Sequence, residues 1–579
     1  MDHMSNHRNA SPQPSKSGLG DMFTPKLITV MREGYGWSQL RADVIAGLTV
    51  AIVALPLSMA IAIGSGAKPE HGLIAAVIGG AFVSALGGSR FQIGGPAGAF
   101  IVLVASIIAT YGYQGFLAAT IMAGLLLLLV GYLQLGIYIK YIPYPVTIGF
   151  TAGIGIIIFA AEIRDFFGLT LAAEPGPLIP KIVALWNVAG TVNWTAAGVG
   201  ALCLTTILIL RRFAPRFPGL LAAVTLGATL TWGLDLPIET IGAKFGGIPS
   251  SLPIPGLPDI NLATLLDLIP VAIALAFLGG MESLLSAVVA DGMTGRRHRS
   301  NCELVAQGWA NIASALFGGL CVTGTIARTA TNIRANAHGP VAGILHAAFL
   351  LAFMVFAAPL ANWIPLTALA AVLAVVAWNM VERHAIAAVL RGDRAEAAVL
   401  VATFTITVLR DLTEGIAVGV VMGAVLFMHR MAQMVEVTTN MPTPLLTPDL
   451  PDEAGERSPY AGADSHDIIV YRITGPFFFG AASQVASIIE QIEKAPRAYV
   501  LDLSAVPLAD ETGAQALLGF VKKARKAGAR VYFAGASRKV TRRLLRAGLG
   551  REQATYVRSV ADARRRLDRA DNKQTTSQA

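Results

Sequence analysis

Ile269-Pro270-Val271-Ala272-Ile273-Ala274-Leu275-Ala276-Phe277-Leu278-Gly279-Gly280-Met281-Glu282-Ser283-Leu284-Leu285-Ser286-Ala287-Val288-Val289-Ala290 is an apolar run long enough to cross a bilayer, with one charge in it. A carboxylate in hydrocarbon costs roughly 2.5–3.5 kcal/mol on insertion scales. Glu282 is therefore expected to face a protein interior or a wet cavity and to be used there. Further along, Arg328 begins another apolar helix and is a candidate counterpart. An acid and a base in separate spans suggest an ion pathway.

The rest of the chain agrees with a polytopic membrane protein. Of 579 residues 54% are hydrophobic and only 14% charged, against about 25% charged in soluble domains, and mean hydropathy is +0.60. Cys203, Cys302 and Cys321 are too scattered for a disulfide framework or a thiolate metal site. Net charge +9 does not call for nucleic acid, because basic loops beside apolar spans follow from the positive-inside rule. Met1–Gly20 is polar, without the apolar core of a cleavable signal, and reads as a disordered cytoplasmic tail.

Apolar stretches recur near 43–64, 71–88, 97–111, 115–137, 145–161, 194–211, 218–234, 265–290, 303–319, 327–338, 341–359, 365–380, 396–409 and 413–429. Boundaries are least defined between Glu162 and Trp194, where an extra amphipathic segment fits. With a cytoplasmic N-terminus, alternate loops are basic: Arg32 and Arg41, Arg90, Lys140, Arg211-Arg212, Arg296-Arg297-His298-Arg299, Arg334, Arg383 and Arg430. Lys68, Arg164, Lys181, Lys244 and Arg410 fall on the other side. An even number of spans, with both termini cytoplasmic, is the better fit.

Two of these stretches, 97–111 and 327–338, are too short to cross ~30 Å of hydrocarbon alone. Each follows a Gly-Gly pair and an extended segment: Gly87-Gly88-Ser89-Arg90-Phe91-Gln92-Ile93-Gly94-Gly95-Pro96 and Gly318-Gly319-Leu320-Cys321-Val322-Thr323-Gly324-Thr325. They are the third and tenth stretches, matching positions in two halves of seven, and paired interrupted segments of this kind point to a transporter's midplane site. Two half-helices whose amino ends meet offer free N–H groups and positive dipole ends to an anion, and Arg328 adds a formal charge. The other reading is that the glycines only permit close helix packing.

Gly94-Gly95-Pro96-Ala97-Gly98-Ala99-Phe100, Met281-Glu282-Ser283-Leu284-Leu285-Ser286, Asp291-Gly292-Met293-Thr294-Gly295 and Ala327-Arg328-Thr329-Ala330-Thr331-Asn332-Ile333-Arg334 resemble the sulfate permease (SulP) family. The resemblance spans about residues 32–560. It implies a polytopic α-helical fold of 14 spans as 7+7 inverted repeats, with core and gate domains and elevator-like alternating access. It also implies a homodimer and a small cytoplasmic α/β STAS domain. Leu55-Pro56-Leu57-Ser58-Met59-Ala60 and the motifs around Glu282 and Arg328 look most like the bacterial C4-dicarboxylate branch, whose members carry protons with their substrates. Cyanobacterial bicarbonate members place an Asp at the Glu282 position and a Thr at Ser286, both sodium-binding, and a substrate-binding Thr at Ala97. Many eukaryotic members have a Gln at Leu57.

The expected anion-binding set is Gly95, Ala97 and Gly98 at one half-helix and Thr325, Ile326, Ala327 and Arg328 at the other, with Ser58 and Ser286 as further candidate contacts. Glu282 is the expected proton-coupling group. An anion arriving at Arg328 changes the charge beside Glu282, so proton and anion are expected to bind together. The competing reading is a static Glu282–Arg328 pair that fixes the two repeats in register. Hydroxyls such as Thr323, Ser283 and Thr329 more often bond their own helix.

Val435–His466 is rich in Pro, Thr, Asp and Glu and reads as a linker. Beyond it, strands at Ile468–Ile473, Ala498–Leu503 and Arg530–Ala534 alternate with helices at Ala482–Glu493, Gly513–Ala527 and Lys539–Ala547. Gly475-Pro476-Phe477-Phe478-Phe479-Gly480, with Asp510-Glu511-Thr512-Gly513, is similar to a STAS domain. In related antagonists of anti-sigma factors a phosphorylated Ser occupies the Glu511 position, so the resemblance implies no such switch at Glu511. The domains are then a disordered tail (1–31), an anion-transport domain (32–434), a linker (435–466), the STAS domain (467–567) and a disordered tail (568–579).

The chain has no HExxH, no Gly-x-Ser-x-Gly and no GxxxxGK[ST], which weighs against an enzyme and against an ATP-driven pump. The expected function is secondary active, proton-coupled symport of an inorganic anion of the sulfate type or a C4-dicarboxylate. The alternatives are sodium-coupled bicarbonate symport, or an uncoupled anion channel or exchanger. The expected setting is a bacterial inner membrane. The expected partners are the anion, lipid, a second copy of the chain and a regulatory protein at the STAS domain, with no nucleic acid and no cofactor beyond the coupling ion, H+ rather than Na+.

Overall fold

The structure, a computed structural model, describes residues 22–136, 143–171, 175, 177–214, 217–410, 412–433, 436–439, 468–477, 496–550 and 552–576. It comprises two compact units, divided at Gly423. The expected helix at Ala482–Glu493, most of the tail 1–31 and most of the linker 435–466 lie outside the described residues, as do Lys140 and Phe478–Gly480.

The first unit begins with a short helix, α1 (Lys26–Arg32), inside the stretch expected to be a disordered tail. Then follow α2 (Trp37–Gly64), α3 (Pro69–Leu86), α4 (Ile101–Tyr132), α5 (Tyr144–Phe167), α6 (Leu178–Asn187), α7 (Trp194–Phe213) and α8 (Gly219–Gly233). The second half holds α9 (Ile269–Thr294), α10 (Ser300–Leu316), α11 (Ile326–Arg334), α12 (Val341–Phe356), α13 (Leu366–Met380), α14 (Arg383–Arg391), α15 (Arg394–Leu409) and α16 (Leu412–Gln433). Each of the fourteen apolar stretches coincides with a helix or with one limb of one. Among the described residues, eight helical segments are both long and apolar enough to cross a membrane, and α6, α8 and α12 are shorter apolar helices. The extra segment expected between Glu162 and Trp194 is α6.

The third and fourth stretches merge into α4 but are parted at Gly112, whose φ of 70° and ψ of 176° break the helix. Only glycine adopts that geometry without a Cβ penalty. Inside α3, Ala75–Gly79 forms a π-helical turn. It lies where α3 passes the centre of the unit: a Cβ on Gly79 would strike Val322, and one on Gly80 would sit 3.0 Å from the Gly94 carbonyl oxygen. Such turns often mark functional positions.

Packing pairs swap between the halves. The second limb of α4 packs on α10, with Gly124 and Gly131 against Gly308, Ile312 and Val305. Its counterpart contact is α3 on α12, where Gly343 meets Ser84. Likewise α5 packs on α15, and α7 packs on α13. The small residues let backbones approach where lipid supplies no hydrophobic drive between helices.

After two short strands of the first unit, β1 (Gly94–Gly95) and β2 (Thr323–Gly324), the described residues of the second unit form a five-stranded sheet in the order β3 (Glu436–Thr439), β4 (Ile468–Thr474), β5 (Ala498–Ala505), β6 (Arg530–Ala534), β7 (Thr555–Val557). Only β3 runs antiparallel. The strand alternation assigns its faces: Tyr499, Leu501, Val531 and Phe533 pack with α17 (Glu511–Lys526) and α18 (Arg538–Arg546). Ala498, Val500, Tyr532 and Ala534 meet Ala563 and Leu567 of α19 (Val560–Thr576). Two expectations change here. The β-branched run Val437-Thr438-Thr439 of the supposed linker is an edge strand, because β4 offers its backbone a partner. The last helix continues past residue 567, where the reading of the sequence placed a disordered tail, because Ala563 and Leu567 anchor it to the sheet.

The Asp510-Glu511-Thr512-Gly513 motif starts α17, and Asp510 Oδ1 accepts the Gly513 N–H at 2.7 Å. Asp510→Ala is expected to cost about 1 kcal/mol through loss of this cap. The loss is read as faster amide exchange at the start of α17 with β6 unchanged.

Candidate functional site

The two extended segments meet. Gly94–Gly95 (β1) pairs antiparallel with Thr323–Gly324 (β2), opposing Gly94 to Gly324 and Gly95 to Thr323. Immediately beyond the strands, the half-helices begin. One opens with a turn of 3₁₀ helix at Gly98–Phe100 and continues into α4, and the other is α11. Their N-cap residues, Ala97 and Thr325, are extended and both buried, and neither supplies a capping side chain. Ala97 has no acceptor to offer, and the Thr325 hydroxyl is turned to the Ile93 carbonyl at 3.3 Å. First-turn N–H groups without caps at a buried helix end call for another acceptor.

Arg328, one turn into α11, is 1% exposed. Its Nη2 donates to Ser58 Oγ at 3.1 Å and to the Pro96 carbonyl at 3.2 Å, while Nε and Nη1 are buried without a hydrogen-bond partner. The guanidinium lies over Gly95, where any Cβ would collide with Nη1. Gly95 is therefore glycine to make room for the guanidinium. Gly98 faces α13, its Cβ position 3.5 Å from Met380 Sδ. Ile326 and Ala327 are exposed beside the buried Arg328, so the start of α11 is open on one side.

Glu282, on α9, has one carboxylate oxygen buried without a hydrogen-bond partner. It lies near enough to Arg328 for each to feel the other's charge. Among the described residues the two make no ion pair within 4.0 Å. The structure thus brings Ser58, Gly95, Arg328 and Glu282 into one neighbourhood around the strand crossing. Ser286 is held one step away: its Oγ donates to Thr329 Oγ1 at 3.2 Å, which in turn accepts the Ile93 N–H. The Thr323 hydroxyl donates to the Gly279 carbonyl at 2.9 Å, and Asn332 ties α11 to the Phe91 carbonyl at 2.9 Å.

A buried polar network beneath the crossing was not singled out in the sequence. Glu303, fully buried, accepts from the Gly88 and Ser89 N–H groups at 2.9 and 3.0 Å, from Ser283 Oγ at 3.2 Å and from Gln307 Nε2 at 3.0 Å. Gln92 Nε2 donates to Ser283 Oγ at 2.7 Å. Asn311 brackets Val322, accepting its N–H and donating to its carbonyl, both at 2.8 Å. Glu303, Gln307 and Asn311 recur every fourth residue on α10, a polar stripe whose period shows in the sequence.

Residues 40–403 match the sulfate permease family, and residues 463–563 match the STAS domain. The chain is 40% identical over 490 residues to the putative sulfate transporter YvdB of Bacillus subtilis (strain 168), covering 84% of this chain and 89% of that protein. It is 32% identical over 527 residues to the bicarbonate transporter BicA of Synechocystis, covering 87% and 90%. The murine Slc26a9 anion transporter, solved in an inward-facing state, superposes with a TM-score of 0.82 over 96% of each chain at 16% identity, a likeness of fold.

Proposed function

The chain belongs to the sulfate permease family, and we propose that it is a secondary active, proton-coupled symporter of a small anion, of the sulfate type or a C4-dicarboxylate. The family is one of multi-pass permeases, not enzymes. The carrying observation is Arg328: a buried guanidinium with unpartnered donors, set between two uncapped half-helix starts. Formal charge, helix dipoles and free N–H groups converge there on one kind of ligand, an anion.

Gly95, Ala97 and Gly98 shape one wall of the proposed site, and Thr325, Ile326, Ala327 and Arg328 the other. Ser58 orients the guanidinium, and Ser286 acts through Thr329. Glu282 carries the proton that travels with the anion, lowering the net charge that crosses the bilayer. The protein works as a homodimer in a bacterial inner membrane with both termini cytoplasmic, the core helices moving against the gate helices. The STAS unit takes a cytoplasmic regulatory protein.

A second reading, sodium-coupled bicarbonate symport, draws its substrate from the likeness to the bicarbonate transporter BicA and its cation site from Ser286, one turn along α9 from Glu282, with Thr329 as its hydrogen-bond partner. A channel or exchanger without coupling is the third. Proteoliposome uptake of labelled sulfate, fumarate and bicarbonate at two external pH values, with and without sodium, separates them. Glu282→Gln is expected to abolish the pH dependence of uptake while leaving anion binding within a fewfold. Proton-driven accumulation that survives in this variant would end the coupling role.

A further inference from the structure

Away from the strand crossing, a cavity of about 270 Å³ lies between α1, the segment leading into β1 and the end of α9. Lys26, Arg90, Arg296 and Arg297 line it against Glu33 and Asp291, a surplus of two positive charges. We propose that this cavity is a second anion site, built for a phosphoryl group.

The acids do not neutralise it. Asp291 Oδ2 is taken by His298, through Nδ1 at 2.6 Å and the backbone N–H at 3.1 Å. Glu33 pairs with Arg90 and lies 4.0 Å from Arg296. Arg90 is only 6% exposed, yet its Nη1 is buried without a hydrogen-bond partner. Among the described residues, the side chains of Lys26 and Arg297 have no hydrogen bond or ion pair. Burial first, then the nearby Arg299 and Arg90 guanidiniums, hold the Lys26 ammonium below its usual range. Arg299 itself is engaged by the Thr24 carbonyl and Thr29 Oγ1 at 2.7 and 3.0 Å.

Crowded cations with spare donors match a ligand carrying several acceptor oxygens around one centre, which describes a phosphoryl group better than a planar carboxylate. At the water boundary of a membrane protein, such a group comes either from an anionic phospholipid headgroup or from a soluble phosphate. Arg90 stands five residues before Gly95, so a bound phosphoryl group fixes α1 to the root of the strand that carries the crossing.

The test uses the purified full-length protein in detergent and follows its thermal midpoint. Phosphatidylglycerol is compared with phosphatidylcholine, and inorganic phosphate with chloride at equal ionic strength. Wild type is expected to be stabilised by phosphatidylglycerol or by phosphate. The double variant Lys26→Gln/Arg297→Gln, which breaks no side-chain hydrogen bond or ion pair among the described residues, is expected to show roughly tenfold weaker apparent affinity for that probe. Arg328→Ala is expected to keep the full response, which separates this cavity from the strand crossing. A response to phosphatidylglycerol lost in the double variant identifies the headgroup, and a phosphate response lost there identifies the soluble ligand. If neither probe stabilises wild type, or if the double variant responds as wild type does, the proposal is overturned.

Discussion

Arg328→Ala is expected to weaken anion binding by two to three orders of magnitude and to bring saturable uptake to background. Truncating one partner of a buried, hydrogen-bonded charge pair costs about 2–5 kcal/mol, and among the described residues the lost partner is also the one formal cation at the half-helix starts. The fold is expected to survive the change. Ser58 already donates to the Ala54 carbonyl at 2.7 Å, and the β1–β2 pairing does not pass through the guanidinium. Arg328→Lys keeps the charge but not the planar fork, so an intermediate loss is expected. Thr331→Ala on the same helix removes only a bond to its own Ala327 carbonyl and serves as a neutral control. Uptake kinetics together with anion-dependent thermal stabilisation measure the effect; an unchanged affinity in Arg328→Ala would remove the guanidinium from the site.

Glu303→Ala is expected to act on the fold itself. It strips four donors of their acceptor in one step: two backbone N–H groups of the turn after α3, the Ser283 hydroxyl and the Gln307 amide. Each buried donor left unmade costs about 1–3 kcal/mol, and breaking a buried charged centre from one side costs about 3–5 kcal/mol. The expected result is poor recovery of monodisperse protein and a lowered thermal midpoint. Glu303→Gln retains one acceptor oxygen, enough for the two N–H groups that share Oε2, and is expected to be milder. A Glu303→Ala protein as stable as wild type would show that water or a neighbouring group replaces the carboxylate.

Features that carry their own period are legible in the sequence, and those defined by a distant partner are not. The helices were legible because runs such as Ile269–Ala290 are long and nearly free of charge, and the half-helices because a Gly-Gly pair precedes each short stretch. The meeting of Gly94–Gly95 with Thr323–Gly324 was implied only by the correspondence of the third and tenth stretches, since two-residue strands have no pattern of their own. Strand β3 was hidden for a related reason: four residues at an edge are defined by the neighbour they pair with. Glu303 is masked in the sequence because the stretch around it reads as apolar on average, although Gln307 and Asn311 repeat its spacing. Gly95 reads in the sequence as an anion contact, and no rule of sequence shows that a guanidinium already lies against it.

The exchange of packing partners between the two halves has a consequence for biogenesis. The groove on α4 lined by Gly124 and Gly131 is filled by Gly308, Ile312 and Val305, residues that leave the ribosome well over a hundred positions later. Until then that groove lacks its native partner, and α12 is not yet there to cover α3. Insertion of the first seven stretches therefore cannot yield a finished half. Closure of that groove waits for the late segments, so the packing of the early helices is completed only when those arrive.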